Sequence, residues 1–359
     1  MTWNNDQLLQ ALSRCRLLQG KLLGRLASID FKLSRESYAE LLIEETIQTA
    51  CIEGQILDRE SVRSSVVRRL GIDSAMATPD RRTDGLVEIL MDATEHHDVP
   101  LTTERLKSWQ AALFPTGYSG LHRVITGDWR GSGPMRIVSG PIGRESVHYE
   151  APPFDRLDDE INGFLKWWTE SRDTTEGILR AGIAHFRFVT IHPFEDGNGR
   201  ISRAITDMAM AQDEKMRQRF YSLSAKIMAE RKNYYMILEK TQKGDGDITE
   251  WLVWFLECFS GAIESAGKTV HNILIKSAFW NRHSRTLLNE RQQKVINRLL
   301  DAGKGGFEGG LTTRKYVSMT RVSRATAQRE IRALVEKQVL APNPGGGRSS
   351  AYDLVWPKI

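Results

Sequence analysis

A polar loop at residues 192–203 holds the side chains best suited to chemistry, and it reads His-Pro-Phe-Glu-Asp-Gly-Asn-Gly-Arg-Ile-Ser-Arg. His192 can accept a proton near neutral pH, and Asp196 supplies the hard oxygen ligand that Mg²⁺ prefers. Gly197 and Gly199 let successive backbone N–H groups turn inward, because no Cβ stands in the way, and such a nest binds anions. The loop therefore predicts a phosphate site.

A helix is predicted directly after this loop, since apolar residues recur there at helical spacing: Ile201, Ala204, Ile205, Met208 and Ala209. The nest would then lie at a helix N-terminus, where unpaired donors and the helix dipole add to the attraction for phosphate. Arg200 and Arg203 share one face of that helix. Both can reach one polyphosphate, and arginine makes forked contacts to phosphate oxygens.

The string His-Pro-Phe-x-Asp-Gly-Asn-Gly-Arg-x-x-Arg resembles, over its full length, the signature of Fic-domain proteins. Most members of that family transfer AMP from ATP to a hydroxyl group of a target protein. The resemblance implies that His192 is the general base on a target Ser, Thr or Tyr, that Asp196 binds Mg²⁺ and that Arg200 holds the β and γ phosphates. The backbone of residues 197–199 would hold the α and β phosphates. Family members that phosphorylate carry Lys at the position of Gly197, so glycine here favours AMP transfer.

The ATP-binding residues that the resemblance implies lie in the loop and on a later helix. They are Phe194, Glu195, Asp196, Gly197, Asn198, Gly199, Arg200, Arg203, Tyr235 and Gln242. Tyr235 is the second ring of a Tyr-Tyr pair that lies near the adenine in Fic proteins, and aromatic faces suit purines. Ordinary packing is the alternative for this pair. For the loop, the alternative is a tight capped turn with a surface histidine.

A second motif precedes the loop in the sequence. Residues 49–54, Thr-Ala-Cys-Ile-Glu-Gly, resemble the (Ser/Thr)-x-x-x-Glu-(Gly/Asn) inhibitory motif of many Fic proteins. Its position N-terminal to the loop is that of the class II type, in which the inhibitory helix belongs to the same chain. Glu53 paired with Arg203 would place negative charge where the triphosphate must lie. A solvated glutamate at a helix end is the alternative interpretation.

A β-hairpin is predicted between the two motifs, with strands at Met135–Ser139 and Ser146–Tyr149 in a stretch rich in glycine, proline and β-branched residues. In the Fic family a hairpin at this place, the flap, takes an extended segment of the target as a further strand. We therefore expect the target protein at the flap, residues 135–149. A surface hairpin that only covers the core is the alternative.

Helical patterns account for most of the rest of the first 280 residues. Helices from Asn5 to about Arg25, from a capping box at Ser37 and from Asp58 would form an N-terminal domain over 1–82. The Fic core, 83–280, would contain helical segments at 85–97, 102–114, 155–168, 177–190, 224–240 and 248–256.

The last segment, 287–359, carries the basicity of the chain. From 289 to 359 there are 13 Lys and Arg against 6 Asp and Glu, whereas the whole chain has a net charge of +5. Its order of helix, loop, short helix, helix and two strands resembles a winged helix-turn-helix domain. Its third helix would bury Ala327, Ile331, Leu334 and Val335, leaving Arg324, Thr326, Gln328, Arg329 and Arg332, with Arg348 on the wing, for DNA. Protein contact is the other use of this fold.

Length, composition and cysteines set the remaining limits. A chain of 359 residues suits two or three domains, and neither a basic-then-apolar leader nor a long apolar run argues for secretion or a membrane span. Cys15, Cys51 and Cys258 are widely separated, which indicates buried thiols in a reducing compartment. We therefore expect a cytoplasmic protein with no membrane partner.

Together these observations predict a mainly α fold: an all-helical Fic core with a small β-hairpin flap, an N-terminal helical domain and a C-terminal winged helix-turn-helix. The predicted function is an ATP- and Mg²⁺-dependent protein adenylyltransferase that is inhibited by Glu53 and acts on a target protein, with self-modification and a homodimer as further expectations from the resemblance. The alternatives are AMP removal at the same site and a nucleotide-responsive DNA-binding regulator.

Overall fold

The computed structural model describes residues 1–27, 31–72, 80–139, 146–343 and 351–357. The chain divides into two compact units, Met1–Ala266 and Gly267–Ile359. The division falls inside a single helix rather than in a loop. The three-domain division given above stays a prediction.

The first unit begins with five helices: α1 (Asn5–Leu26), α2 (Phe31–Ile52), α3 (Arg59–Arg69), α4 (Arg81–Glu95) and α5 (Thr103–Leu113). The side chains of Asn4, Asp58, Asp80 and Thr102 cap α1, α3, α4 and α5 by accepting first-turn N–H groups. The predicted start of α2 at Ser37 is wrong. Ser37 is buried and lies inside α2, which begins earlier, at Phe31.

Two small hairpins follow, β1 (Tyr118–Ser119) with β2 (His122–Arg123) and β3 (Arg136–Ser139) with β4 (Ser146–Glu150), both antiparallel. The second hairpin is the predicted flap, and its residues 140–145 lie outside the described part of the chain. The first hairpin was not predicted, since two-residue strands leave no periodic signal.

The centre of the first unit is the pair α7 (Gly177–Ile191) and α8 (Asn198–Glu214), most of whose residues are buried. Around it lie α6 (Leu157–Glu170), α9 (Leu223–Ala229), α10 (Arg231–Gln242) and the first part of α11 (Thr249–Arg282), which buries Trp251 and Phe255. The segment predicted as one helix over 224–240 is two helices, because the chain leaves helical geometry at Glu230.

The second unit contains the end of α11, then α12 (Glu290–Ala302), α13 (Thr313–Thr320), α14 (Arg324–Glu336) and a hairpin of β5 (Leu340–Pro342) with β6 (Tyr352–Leu354). Its core includes Phe279, Val295, Leu299, Tyr316, Ile331 and Leu334. The order of elements is the predicted one. Residues 344–350, with Arg348, lie outside the described part of the chain.

The fold class is therefore mainly α with small β-hairpins, as predicted. Among the described residues, no helix combines the length and the apolar character that a membrane span needs. Cys15 and Cys258 are buried as expected, whereas Cys51 is only partly buried because it lies near the end of α2.

Candidate active site

The loop between α7 and α8 takes its shape from two residues with positive φ. His192 ends α7 with φ 51°, and its N–H still donates to the Phe188 carbonyl oxygen at 3.1 Å. Gly197 has φ 96°, and a Cβ there would lie 2.9 Å from Cδ1 of Leu113. Backbone geometry and lack of space therefore both require glycine at 197, and α8 starts at the next residue.

His192 is held as a neutral base. Its Nδ1 lies 3.0 Å from the Val189 carbonyl oxygen, which can only accept, so Nδ1 carries the proton and Nε2 is left as an acceptor. Burial lowers the pKa of His192 and outweighs the Val189 carbonyl and the charges of Glu53 and Asp196, which raise it. The imidazole is therefore neutral at neutral pH and ready to accept a proton.

Phe194 and Asn198 fix the loop rather than line it. The Phe194 side chain is fully buried, with its ring 4.8 Å from that of Trp129, so the predicted nucleotide contact cannot come from this side chain. Asn198 accepts from the Phe194 N–H at 3.0 Å and donates to the Phe194 carbonyl at 2.7 Å. Asn198 can therefore meet a phosphate only through its backbone N–H at the start of α8.

The two carboxylates of the loop have different surroundings. Glu195 accepts from the Ile125 N–H at 2.8 Å, so it holds the segment after β2 against the loop. Asp196 accepts from the Ser119 hydroxyl at 2.5 Å and from Arg200 at 3.3 Å, and its side chain is 37% exposed. Of these two, Asp196 is the one placed to reach a metal ion.

The donor set fits Mg²⁺ bound together with a nucleotide. Within the described ranges, no group of three or more His, Cys, Asp or Glu could hold a metal ion by itself. Mg²⁺ commonly takes one or two carboxylates and completes its shell with water and substrate phosphates. Asp196 at the mouth of the loop matches that requirement.

Both arginines of the motif are buried, Arg200 at 4% and Arg203 at 2% exposure. Nε of Arg200 and Nη1 of Arg203 have no hydrogen-bond partner in the described part of the chain. Unsatisfied buried guanidinium groups are costly, and an anion at the N-terminus of α8 would satisfy them. This is the observation in the structure that most directly indicates a phosphate ligand.

The end of α2 closes over this site. Glu53 Oε1 lies 2.8 Å from Arg203 Nη2, and Thr49 accepts from the same guanidinium through its hydroxyl at 2.6 Å and its carbonyl at 2.9 Å. A Cβ on Gly199 would lie 2.1 Å from Glu53 Oε1, so the carboxylate sits directly against the first turn of α8. The Glu53–Arg203 contact expected from the motif is thus present.

A third residue of the same segment was not predicted. Gln55 accepts from Arg200 Nη1 at 3.2 Å. It follows Gly54, whose φ of 76° turns the chain back over the helix end, and its own N–H donates to the Ala50 carbonyl. The segment therefore engages both arginines of the motif.

The residues predicted to contact the adenine, and their neighbour Tyr234, lie in different surroundings. Tyr234 is core, hydrogen-bonded at 2.9 Å to the buried His185, whereas Tyr235 is 40% exposed and donates to the Ile52 carbonyl at 3.2 Å. Arg231 donates to the same carbonyl at 2.7 Å. Gln242 contacts the Thr190 hydroxyl at 3.2 Å, beside the end of α7. Nucleotide contact by Tyr235 and Gln242 stays a prediction.

Sequence reasoning missed four residues that shape the site: Gln55, Ser119, Arg130 and Arg231. Of these, only Gln55 had a signal, since it directly follows the inhibitory motif. The others come from segments far from both motifs in the sequence.

Comparison with known families agrees with this site. Residues 100–210 match the model of the Fic/DOC family, and residues 1–72 match a domain of unknown function, DUF4172. The chain therefore contains a Fic domain.

Individual relatives carry related names. The chain is 23% identical over 303 residues to the protein adenylyltransferase Fic of Nematostella vectensis, covering 80% of this chain and 65% of that one. It is 34% identical over 128 residues to protein adenylyltransferase fic-1 of Caenorhabditis elegans, covering 35% of this chain and 23% of that one. The chain thus spans less than two thirds of either relative.

A crystal structure of a Fic family protein from Desulfovibrio desulfuricans G20 superposes with a TM-score of 0.54 at 19% identity, over 97% of this chain and 96% of the other. This likeness concerns the fold alone.

Proposed function

We propose that this protein transfers AMP from ATP to a hydroxyl group of a target protein. The supporting observation is the neutral His192, with Nε2 as acceptor, next to a helix N-terminus whose two buried arginines have unpartnered donors. The names of the two relatives point to the same chemistry.

In the proposed reaction, Nε2 of His192 takes the proton of the target hydroxyl while its oxygen attacks the α-phosphorus. The bond from that phosphorus to the bridging oxygen of the β-phosphate breaks, and pyrophosphate leaves. Arg200 and the first N–H groups of α8 stabilise the charge that develops on the phosphates. Mg²⁺ bound by Asp196 and the nucleotide would neutralise part of the same charge.

The target is proposed to bind at the flap. Strands β3 and β4 form an antiparallel ribbon, and Val138 and Val147, which pair across it, are both about half exposed. An extended target segment that pairs with an edge of this ribbon gains backbone hydrogen bonds whatever its side chains. Its hydroxyl-bearing residue would thereby be brought to His192.

Glu53 is proposed to hold the enzyme inactive. Its carboxylate occupies Nη2 of Arg203 and lies against Gly199, where the triphosphate would need positive charge. The negative charges of the Glu53 carboxylate and of the triphosphate would repel each other, so ATP could bind only in a displaced position. Removal of this one carboxylate should release the site.

The test uses ATP labelled on the α-phosphate, with Mg²⁺ and cell lysate, and compares wild type, Glu53→Gly and Glu53→Gly with His192→Ala. We expect strong protein labelling only in Glu53→Gly, and none when the label is on the γ-phosphate. Parallel samples with labelled UTP, CTP and GTP identify the nucleotide. If Glu53→Gly binds ATP but labels no protein, the proposal is wrong.

For the second unit we propose, in addition, binding to DNA through α14. Arg324, Gln328 and Arg332 follow one exposed face of this helix, and Ala327, Ile331 and Leu334 bury the other. Such a face suits a major groove and its phosphates. We expect the full chain to bind duplex DNA with an affinity that falls steeply with salt, and Arg324→Ala with Arg332→Ala to weaken it. Equal affinity of the double variant and the wild type would contradict this.

A further inference from the structure

Arg130 is a buried arginine between the first hairpin and the flap, and only 2% of it is exposed. In the described part of the chain, no carboxylate lies within ion-pair distance of its guanidinium, and burial lowers its pKa. A buried cation without a carboxylate partner is costly, so its retention calls for an explanation in what it binds.

The observed hydrogen bonds of Arg130 all go to main-chain carbonyl groups around His192 and the flap, whereas its Nη1 has no partner among the described residues. Its Nε donates to the carbonyl oxygen of His192 at 3.0 Å, and its backbone N–H donates to that of Pro193 at 2.9 Å. Its Nη2 donates to the carbonyl of Pro152, two residues after the end of strand β4. One side chain thus joins the catalytic loop to the base of the flap.

The neighbouring residue strengthens this connection. The Trp129 ring packs on Phe194 at 4.8 Å, and Nζ of Lys107 lies 5.0 Å from the centre of the Trp129 ring. The pair 129–130 therefore holds the loop by side chain and backbone together. Because His192 has a positive φ of 51°, which is unfavourable for a residue with a Cβ, its peptide needs such external support.

We propose that Arg130 is a positioning residue that couples the flap to the orientation of His192. Through the His192 carbonyl it fixes the peptide that aims the imidazole, and through the Pro152 carbonyl it fixes the strand on which the target would lie. A target that displaces the flap therefore displaces the base in the same movement. The kinetic part of this inference rests on the proposed AMP transfer, but the structural part does not.

Arg130 also acts on His192 by charge. Among the described residues, three charged groups act on the imidazole: Glu53 from the turn after α2, Asp196 from the loop and Arg130 from the segment before the flap. The carboxylates raise the pKa of His192, whereas the guanidinium lowers it. Loss of the guanidinium should therefore raise the pKa of the imidazole. A lysine at position 130 would keep the positive charge and so part of its effect on this pKa, but it would lose the contacts that the guanidinium makes with two carbonyl groups at once.

The experiment compares Arg130→Gln and Arg130→Lys in the Glu53→Gly background. The matched control is Arg180→Gln, which removes an equally buried arginine that contacts Ser171, Gln212 and the Trp168 carbonyl instead. Three quantities are measured: the rate of AMP transfer, the dissociation constant for ATP, and the His192 pKa by NMR of labelled histidines, assigned with His192→Ala.

For Arg130→Gln we expect a rate about 100-fold lower, as for a misplaced catalytic group, ATP affinity within about twofold, and a raised His192 pKa. Arg130→Lys should lose rate with a smaller change in pKa. Arg180→Gln should leave the His192 pKa unchanged. An unchanged pKa and rate in Arg130→Gln, or loss of ATP affinity in parallel with the rate, would overturn the inference.

The two proposals fail separately. If no variant transfers AMP, the proposed function is wrong, yet loss of the Nδ1-protonated tautomer of His192 in Arg130→Gln but not in Arg180→Gln, read from the same NMR spectra, still supports the positioning role. If transfer is found and the NMR titration of His192 is the same in both, the positioning role is wrong and the function stands.

Discussion

At the scale of single residues, the ability of the site to bind a nucleotide depends on which hydrogen-bond donors of Arg200 and Arg203 are already occupied. Glu53 takes Nη2 of Arg203, and Gln55 takes Nη1 of Arg200, while one donor of each guanidinium has no partner in the described residues. A carboxylate repels a triphosphate, whereas a neutral amide only competes with it for a donor. The two contacts should therefore inhibit to different extents.

Gln55→Ala is expected to raise basal AMP transfer by about tenfold, well below the effect of Glu53→Gly, because it removes one hydrogen bond to a charged group, worth about 1.5 kcal/mol. The measurement is labelling by α-labelled ATP, with ATP affinity determined by calorimetry. Gln48→Ala, which removes a glutamine of α2 that is bonded to Glu44, is the control. A rate equal to that of the control would show that the Gln55 contact is incidental.

At the scale of secondary-structure elements, α2 is anchored two turns before Glu53. The buried Glu45 accepts from the Ser222 hydroxyl at 2.7 Å, the Ser224 N–H at 3.1 Å and the Ser224 hydroxyl. These donors lie at the N-terminus of α9, where the helix dipole also favours a carboxylate. The anchor stabilises the part of α2 that positions Glu53.

Glu45→Ala should destabilise the first unit by about 2 kcal/mol, because it leaves buried donors without an acceptor. It should also increase both amide hydrogen exchange in the second half of α2 and basal transfer. Glu44→Ala, the neighbouring and more exposed position, should do neither. Exchange in α2 that matches the control would contradict the anchoring role.

In the second unit, the buried Glu330 joins three helices. It accepts from Arg291 and Asn289 at the start of α12 and from the Tyr316 hydroxyl of α13 at 2.6 Å. Arg291, then Tyr316 and Asn289, hold the pKa of Glu330 below its usual value against burial, which raises it. A carboxyl group whose pKa is lower in the folded than in the unfolded state stabilises the folded state when the pH is above the unfolded-state pKa. That contribution is lost as the pH falls through the folded-state pKa.

Glu330→Gln should therefore cost about 2 kcal/mol at pH 7, and the difference from wild type should shrink at acidic pH as the native carboxyl becomes protonated. Thermal unfolding of the second unit at pH 7 and at about pH 3 measures this. Glu336→Gln, on the same helix with a loose 3.7 Å pair to Arg332, is the control. A difference that stays constant with pH would contradict the assignment.

At the scale of the whole molecule, the two units have separate cores, and the proposed nucleotide site belongs entirely to Met1–Ala266. A ligand that binds only one unit stabilises only that unit, by about 2.7 kcal/mol at 100 times the dissociation constant. We expect calorimetry of Glu53→Gly with Mg²⁺ and ATP to show one transition moving to higher temperature. Adding Arg200→Ala should abolish the shift, and a shift of the transition assigned to the second unit alone would contradict the location of the site.

Features that depend on neighbouring residues could be predicted from the amino-acid sequence. The loop of 192–203, the capped starts of α3 and α5, the flap strands and the helix order of the second unit all follow from local geometry, caps and periodicity. The Glu53–Arg203 contact was also expected, but only because a family resemblance linked two distant motifs.

Features that depend on contacts between distant segments appear only in the folded chain. Arg130 and His192 are separated by 62 positions, and Gln55 and Arg200 by 145, so no local pattern could pair them. The same holds for the burial of Phe194 and Glu330, which packing partners impose. Local preferences are worth tenths of a kcal/mol per residue, whereas burial and satisfied hydrogen bonds contribute about 1 kcal/mol or more each, so tertiary contacts prevail over local preference.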